Sequence, residues 1–348
     1  MLENATTRPD QPLTVAALSE AGLLARIFPR LAMAGAHNAA TLLGPGDDAA
    51  IISAPDGRTV ISIDTQVEDQ DFRRQWPNGY RTTGFDVGWK AAAQNLSDIN
   101  AMGATATSLV VSLTLPPATP VTWVEDLADG LTAGIRELGA SGCSVAGGDL
   151  GRGREISVTV AVLGTLDGGP AVLRSGAQAG DVLALAGTAG HAAAGLALLE
   201  SETGVDVLSP GQRIFLDLQC RPRPPLAAGP AARAAGATSM LDVSDGLLRD
   251  GHRLAAASQV VVALDPDRLD ALARVLLPAS ELLGTDPAEW VLGGGEDHGL
   301  LATFPPSSRL PAGFTAIGSI QALGTNEGPG VTIAGRTAGT GGWDHFAD

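Results

Sequence analysis

Apolar residues recur at helical and strand spacing, in alternation, along most of the chain. After a polar, proline-containing opening, TVAALSEAGLLARIFPRL repeats apolar side chains at helical spacing, which predicts a helix from about Leu18 to Leu31. The short apolar runs AAIISA (49–54) and TVISID (59–64) flank Pro55, Asp56 and Gly57, the signal of a hairpin. GFDVGWKAAAQNLSDINAMGA (84–104) is alanine-rich with helical period and ends at Gly103. TSLVVSLTLP reads as a strand closed by Pro116 and Pro117, and VTWVEDLADGLTAGIRELGA as an amphipathic helix stopped by Gly139. SVAGGD and EISVTVAVLGTL follow as strands.

LDGGPAVLRSGAQAGD (166–181) is rich in glycine and turn residues and marks a boundary. Beyond it come strand VLALAG, helix AAAGLALLE, the proline-rich RPRPPLAAG (221–229) and a helix around PAARAAGA. Strand SMLDVS, helix GLLRDGHRLAAAS, strand VVVAL and a helix near Leu269–Leu276 come next, then strand WVLGGGE and a last strand in LLATF. This order predicts an α/β chain of α+β layers in two domains, over 18–168 and 169–348, behind a loose lead-in at 1–17. The 348 residues suffice for two cores.

Composition narrows the function. A formal charge of -16 argues against a nucleic-acid binder, which presents a basic face. The opening MLENATTRPD lacks the layout of a signal peptide, and Val182–Leu199 is interrupted by Gly187, Gly190, His191 and Gly195, so no membrane span is expected. Cys143 and Cys220 lie far apart and suggest no disulfide framework. The expectation is a soluble, cytoplasmic protein. Lys90 is the only lysine, and DVGWKAAA is not a Walker phosphate loop, so any nucleotide phosphate is held by another device.

The acids suggest that device. Asp47 and Asp48 follow a Gly-Pro-Gly turn, Asp64 lies at the end of a strand run, and Glu68, Asp69 and Asp71 come just after. Asp98 lies in a helix of small and apolar residues; Asp149 follows two glycines; Asp242 and Asp245 flank Ser244; Glu296 and Asp297 follow three glycines. Each alone reads as a turn or cap residue. Together, with almost no cations beside them in sequence, converging carboxylates would repel one another unless a hard divalent cation joined them. Oxygen-rich ligand sets suit Mg²⁺, whereas cysteine and histidine are too few and scattered for zinc. Metal-bridged phosphate binding points to phosphoryl transfer. Arg174, in LRSGA, is placed either to clamp a phosphate or to pair across the boundary.

GDDAAI, SIDTQVEDQDF, NLSDINAMGA, AGGDLGRG, LRSGAQAGD, LDVSDGL and GGGEDHGL, in that order, resemble the thiamine-monophosphate kinases of the aminoimidazole-ribonucleotide synthetase-like superfamily. The resemblance implies a two-domain fold whose N-terminal sheet pairs across a homodimer, with the active site between the domains. It implies ATP-dependent phosphorylation of thiamine monophosphate to thiamine diphosphate, assisted by several Mg²⁺ ions. Asp48, Ser62, Ile63 (through its backbone), Asp64, Asp98, Asp149, Asp242 and Asp245 are the implied metal ligands. Gly148, Asp149, Arg174 and Ser244 are the implied ATP contacts, with Asp64, Asp149 and Arg174 carrying the chemistry, and Glu296 and Trp343 the implied thiamine contacts. Selenophosphate synthetases need a reactive Cys or selenocysteine near the N-terminus and hydrogenase-maturation relatives end in Cys; neither feature is found here. Two positions depart from the family pattern: Ile63 stands where threonine is usual, and Asp71 where a substrate-contacting histidine is usual. Asp71 keeps a second acceptor open, in a paralogous kinase for another small metabolite.

Overall fold

A computed structural model describes residues 12–32, 40–45, 49–325 and 328–343. The first half runs α1 (Glu20–Leu31), β1 (Thr41–Leu43), β2 (Ile51–Ile52), β3 (Val60–Val67), α2 (Gly84–Ala101), β4 (Thr105–Leu115), α3 (Val121–Glu137), β5 (Ser144–Arg152) and β6 (Ser157–Thr165). Strands β3-β6-β4-β5 form one sheet, antiparallel except for the parallel pair β4 and β5. Its inward residues, Val158, Val160, Val162, Leu109 and Leu113, pack under α2 and α3.

Helix α2 starts in a capping box: the Thr83 hydroxyl accepts from the Asp86 N–H, and the Asp86 carboxylate accepts from the Thr83 N–H. Its glycines let α3 approach closely. A methyl group at Gly88 would stand 2.0 Å from the Leu127 carbonyl oxygen, and one at Gly130 equally close to that of Phe85. Covered by α3, the sheet and the second half of the chain, α2 is buried almost all round, which its run of small residues permits.

The second half runs β7 (Val182–Ala186), α4 (His191–Glu200), α5 (Pro210–Cys220), α6 (Ala228–Ala234), β8 (Ser239–Val243), α7 (Leu247–Ser258) and β9 (Val261–Leu264). It continues with α8 (Pro266–Val275), α9 (Leu277–Leu283), α10 (Pro287–Gly293), β10 (Gly299–Phe304), β11 (Phe314–Gln321), β12 (Gly330–Ile333) and β13 (Arg336–Thr337). The sheet order is β13-β12-β9-β11-β7-β10-β8. Its central strands are apolar on both faces: Leu183, Leu185, Leu241 and Leu301 enter one core, while Ala184, Met240, Leu300 and Phe304 enter another that includes Ala101 of α2. Among the described residues no helix is long and apolar enough to cross a membrane.

Three expectations are corrected. The runs at 49–54 and 59–64 do not pair: β2 joins β1, and β3 joins β6. The Asp56 carboxylate accepts from the Gly168 N–H, so the 55–57 turn is fastened to the loop after β6 instead of closing a hairpin. WVLGGGE is not a strand. Trp290 and Val291 lie in α10, opened by an Asp286 cap and Pro287 at the first turn, start signals that outweigh a three-residue apolar run. LLATF is not the last strand, since β11, β12 and β13 follow, and α5 was not anticipated despite its Ser209–Gln212 capping box.

Candidate active site

Three elements deliver acids to one place. Alternation along β3 turns Ser62, Asp64 and Gln66 toward α2 and leaves Ile61, Ile63 and Thr65 on the open face. On α2, Lys90, Gln94, Ser97 and Asp98 follow at spacings of four, three and one, which makes a single stripe. In β8, Asp242 shares the α2-facing side with Met240. The Ser62 hydroxyl donates to Asp98 at 2.5 Å, and the Ser97 hydroxyl to Asp242 at 2.9 Å.

The electrostatics record this convergence. Burial, then the Asp242 and Asp64 charges, push the Asp98 carboxyl up to about 7 against the Ser62 hydrogen bond and His298. Burial likewise raises Asp64, with Asp242 adding to it and His298 opposing. Burial also works against the Asp242 charge, but the hydrogen bond and charge of His298, 3.3 Å away, with Ser97 and the Arg174 charge, hold that carboxyl below its ordinary value. His298 is buried, which disfavours its cation, yet Asp242 outweighs that and raises it.

Asp64, Asp98, Asp242 and His298 line a cleft of about 380 Å³ with Asp71, Gln94, Ser244, Asp245, Glu296 and Trp343. Trp76, Leu196 and Trp343 add apolar lining, Trp343 being 53% exposed and held through its backbone N–H to the Asp245 carbonyl at 2.9 Å. The loop carrying Glu296 and His298 has both at positive φ, 66° and 52°, a strain tolerated where the backbone must aim side chains. The Glu296 N–H donates to the Ser244 carbonyl, coupling the two loops.

The sequence argument that the acids lack cationic partners is corrected by the fold. Glu296 meets Lys90 at 2.5 Å, and Asp245 meets Arg253 at 2.6 Å and Arg249 at 3.8 Å. These partners come from other turns of helix or distant segments, so local sequence conceals them. Burial would raise Glu296, but Lys90 and the Gln219 hydrogen bond hold it low. Asp71 accepts from the Val67 N–H at 2.7 Å and lines the cleft.

Other expected residues lie elsewhere. Asp149 pairs across the sheet with Ser112, which pairs with Thr159 and so with Thr65. That row is on the open face, one residue out of phase with Asp64, and β5 lies three strand spacings (about 14 Å) from β3. Gly148 and Asp149 instead rim an apolar cavity of about 540 Å³ lined by Leu24, Ile27, Leu127, Leu131 and Val145. Arg174 is exposed, its carbonyl held by Ser239 and Ser258. Asp48 lies outside the described residues. Sequence reasoning missed Lys90, Ser97, Gln219 and His298 as site residues. A lone lysine in a helix of small residues was a usable signal for the first; the others gave none.

The Asp64, Asp98 and Asp242 cluster offers carboxylate and hydroxyl oxygens, with burial first and neighbouring carboxylate charge second raising Asp64 and Asp98, donor chemistry that suits a hard divalent cation. Among the described residues no three acidic, imidazole or thiol groups form a metal-holding group by themselves.

Residues 46–166 match the family described as AIR synthase related protein, N-terminal domain. The chain is 43% identical over 327 residues to the thiamine-monophosphate kinase of Mycobacterium tuberculosis, covering 92% of this chain and 91% of that one. The crystal structure of thiamine-monophosphate kinase from Stenotrophomonas maltophilia superimposes with a TM-score of 0.75 at 32% identity, covering 92% of this chain and 98% of that one. AaThiL complexed with AMPPCP and TMP gives a TM-score of 0.73 at 30% identity, over 86% of this chain and 91% of that one.

Proposed function

The chain belongs to the thiamine-monophosphate kinase family, and on that premise we propose that its cleft transfers the γ-phosphoryl group of ATP to thiamine monophosphate, giving thiamine diphosphate and ADP. The observation that carries this reading is one cleft lined both by the acids Asp64, Asp98, Asp242 and Asp245 and by the indoles Trp76 and Trp343. A relative of the same fold is complexed with AMPPCP, an ATP analogue, and TMP.

A phosphate oxygen of the acceptor attacks the γ-phosphorus in line; the new P–O bond forms as the bond to the β-phosphate bridging oxygen breaks. The acceptor phosphate, with a second pKa near about 6, is already ionised at neutral pH, so no side chain needs to take its proton. Asp64, Asp98, Asp242 and Asp245, with Ser62 and the Ile63 carbonyl, are the residues that would hold Mg²⁺. Mg²⁺ held there would supply neutralisation of phosphate charge and orientation of the reacting oxygens. Arg174, whose charge already reaches Asp242, stabilises the transferring group. Gly148 and Asp149 are assigned to ATP, with the apolar cavity beside them for its base, and Ser244 to the phosphates. Trp343 packs on the thiamine heterocycles, and Glu296 accepts from them.

The open face of the first sheet exposes Ile61 by 68% and Ile63 by 62%, apolar surface that supports a homodimer built on this face. ATP is supplied in the cytoplasm, and we place the enzyme there. Asp71, an acid on the cleft wall, favours a second reading, a kinase for a different small acceptor. The test is ADP release with ATP, Mg²⁺ and thiamine monophosphate. Turnover that Asp64→Asn and Asp149→Asn each abolish without unfolding supports the first reading; absence of turnover at saturating acceptor supports the second.

A further inference from the structure

Lys90 is the only lysine in the chain, and it is 3% exposed. Its ammonium stands 2.5 Å from one Glu296 oxygen and donates to the Asp71 carbonyl at 3.3 Å. The other Glu296 oxygen accepts from the Gln219 amide at 2.6 Å. Asp71, Gln219 and Glu296 all line the cleft. One buried cation on α2 therefore fastens two walls of the cleft, the loop after β3 and the loop before β10.

The Gln219 side chain adds an independent sign of a ligand. It is 3% exposed, and because a carboxylate only accepts, its amide nitrogen must face Glu296. Its Oε1 is then left buried with no hydrogen-bond partner among the described residues. Of the buried oxygens left without a partner among the described residues, it is the one beside the Glu296 carboxylate on the cleft wall, where an N–H donor of a ligand would satisfy it.

We propose that Lys90 is a positioning residue for the phosphoryl acceptor: through Glu296, Asp71 and Gln219 it fixes the hydrogen-bonding wall that recognises the amine-bearing, cationic heterocycle of the substrate. The proposal rests on the reading that this cleft takes thiamine monophosphate with Glu296 at its organic end. A merely structural ion pair between the two halves of the chain predicts loss of stability with no preference between substrates. A positioning role predicts an effect confined to the acceptor.

Wild-type turnover of thiamine monophosphate is measured first; its absence removes the functional reading itself, and this inference with it. Given turnover, Lys90→Met is expected to raise the KM for thiamine monophosphate about tenfold while the KM for ATP stays within about twofold. Gln219→Leu should show the same split. Lys90→Met/Glu296→Gln, which removes the stranded buried charge, should recover wild-type thermal stability but not the acceptor KM. Should Lys90→Met fail to fold, the wild type serves. Reductive methylation followed by mass spectrometry reads its single lysine, and thiamine monophosphate, but not ATP alone, should slow that reaction several-fold. Parallel rises in both KM values, an unchanged acceptor KM, or a methylation rate indifferent to the acceptor overturns the proposal with the functional reading intact.

Discussion

Replacing Asp98 by asparagine should make the metal-free protein more stable at pH 8, while abolishing activity. Asp98 titrates at about 7 in the folded chain against an ordinary 3.8, because burial and the Asp242 and Asp64 charges oppose its ionisation. At about 1.4 kcal/mol per tenfold in affinity, (7 − 3.8) corresponds to on the order of 4 kcal/mol. The folded value is the raised one, so the folded chain holds this proton more tightly than the unfolded chain. The associated stability is complete below pH 3.8 and is lost as pH rises through about 7. Asparagine cannot ionise, keeps an oxygen for the Ser62 hydroxyl, and is exempt from that loss. The assay is urea unfolding in chelator at pH 8 and pH 5. The Asp98→Asn midpoint should exceed wild type at pH 8 with an unchanged slope. The advantage should shrink to less than about 2 kcal/mol at pH 5, where wild-type Asp98 is already protonated when folded. Added Mg²⁺ should stabilise wild type and reverse the ranking, since only the intact carboxylate set binds it well. A variant no more stable than wild type at pH 8, or equally displaced at both pH values, refutes the claim that these acids crowd one another.

Gly88→Ala replaces a helix glycine, a change worth about 1 kcal/mol in favour of alanine by propensity. Here the new methyl meets the Leu127 carbonyl at 2.0 Å, and the overpacking penalty of up to about 3 kcal/mol wins. Thermal unfolding should drop by several degrees; a rise contradicts the α2–α3 packing. Ile63→Asp places a charge on the open face of the first sheet and should convert a dimer to monomers in size-exclusion chromatography with light scattering. An unchanged mass removes that face from the interface. Asp71→Asn keeps an acceptor for the Val67 N–H while deleting the charge. If Asp71 repels the acceptor phosphate, the KM for thiamine monophosphate falls; if it attracts the cationic ring, KM rises, and no change places Asp71 outside recognition.

Most elements were legible because period and punctuation agreed. α2 and α3 each carry a helical apolar period and a glycine at or near the stop, and both formed with nearly the expected ends. Where the sequence misled, the apolar run was short. Three residues of WVL fit strand or helix equally, and only the Asp286–Pro287 start distinguishes them. Pairing is harder still: nothing in AAIISA or TVISID says which strand each will join, because that choice is made by β1, β6 and a carboxylate reaching Gly168 from the 55–57 turn.

The site divides along the same line, between what one segment states and what several must supply. Asp64, Asp98 and Asp242 were visible because an acid amid small or apolar residues is anomalous wherever the fold takes it, and three such anomalies on β3, α2 and β8 met. Their partners were invisible because the matching residue is ordinary in its own segment. Gln219 closes an amphipathic helix, and His298 follows two acids. Each meets its partner only when α2 is buried between the two halves of the chain, with Gln94 and Asp98 of its polar stripe lining the cleft. That burial requires small residues at Gly84, Gly88, Ala91 and Ala92, so the glycine and alanine content of α2 is a condition for the site. A long cation inside a close-packed helix interface has few places to go, and the places it found are a carbonyl on one loop and a carboxylate on another.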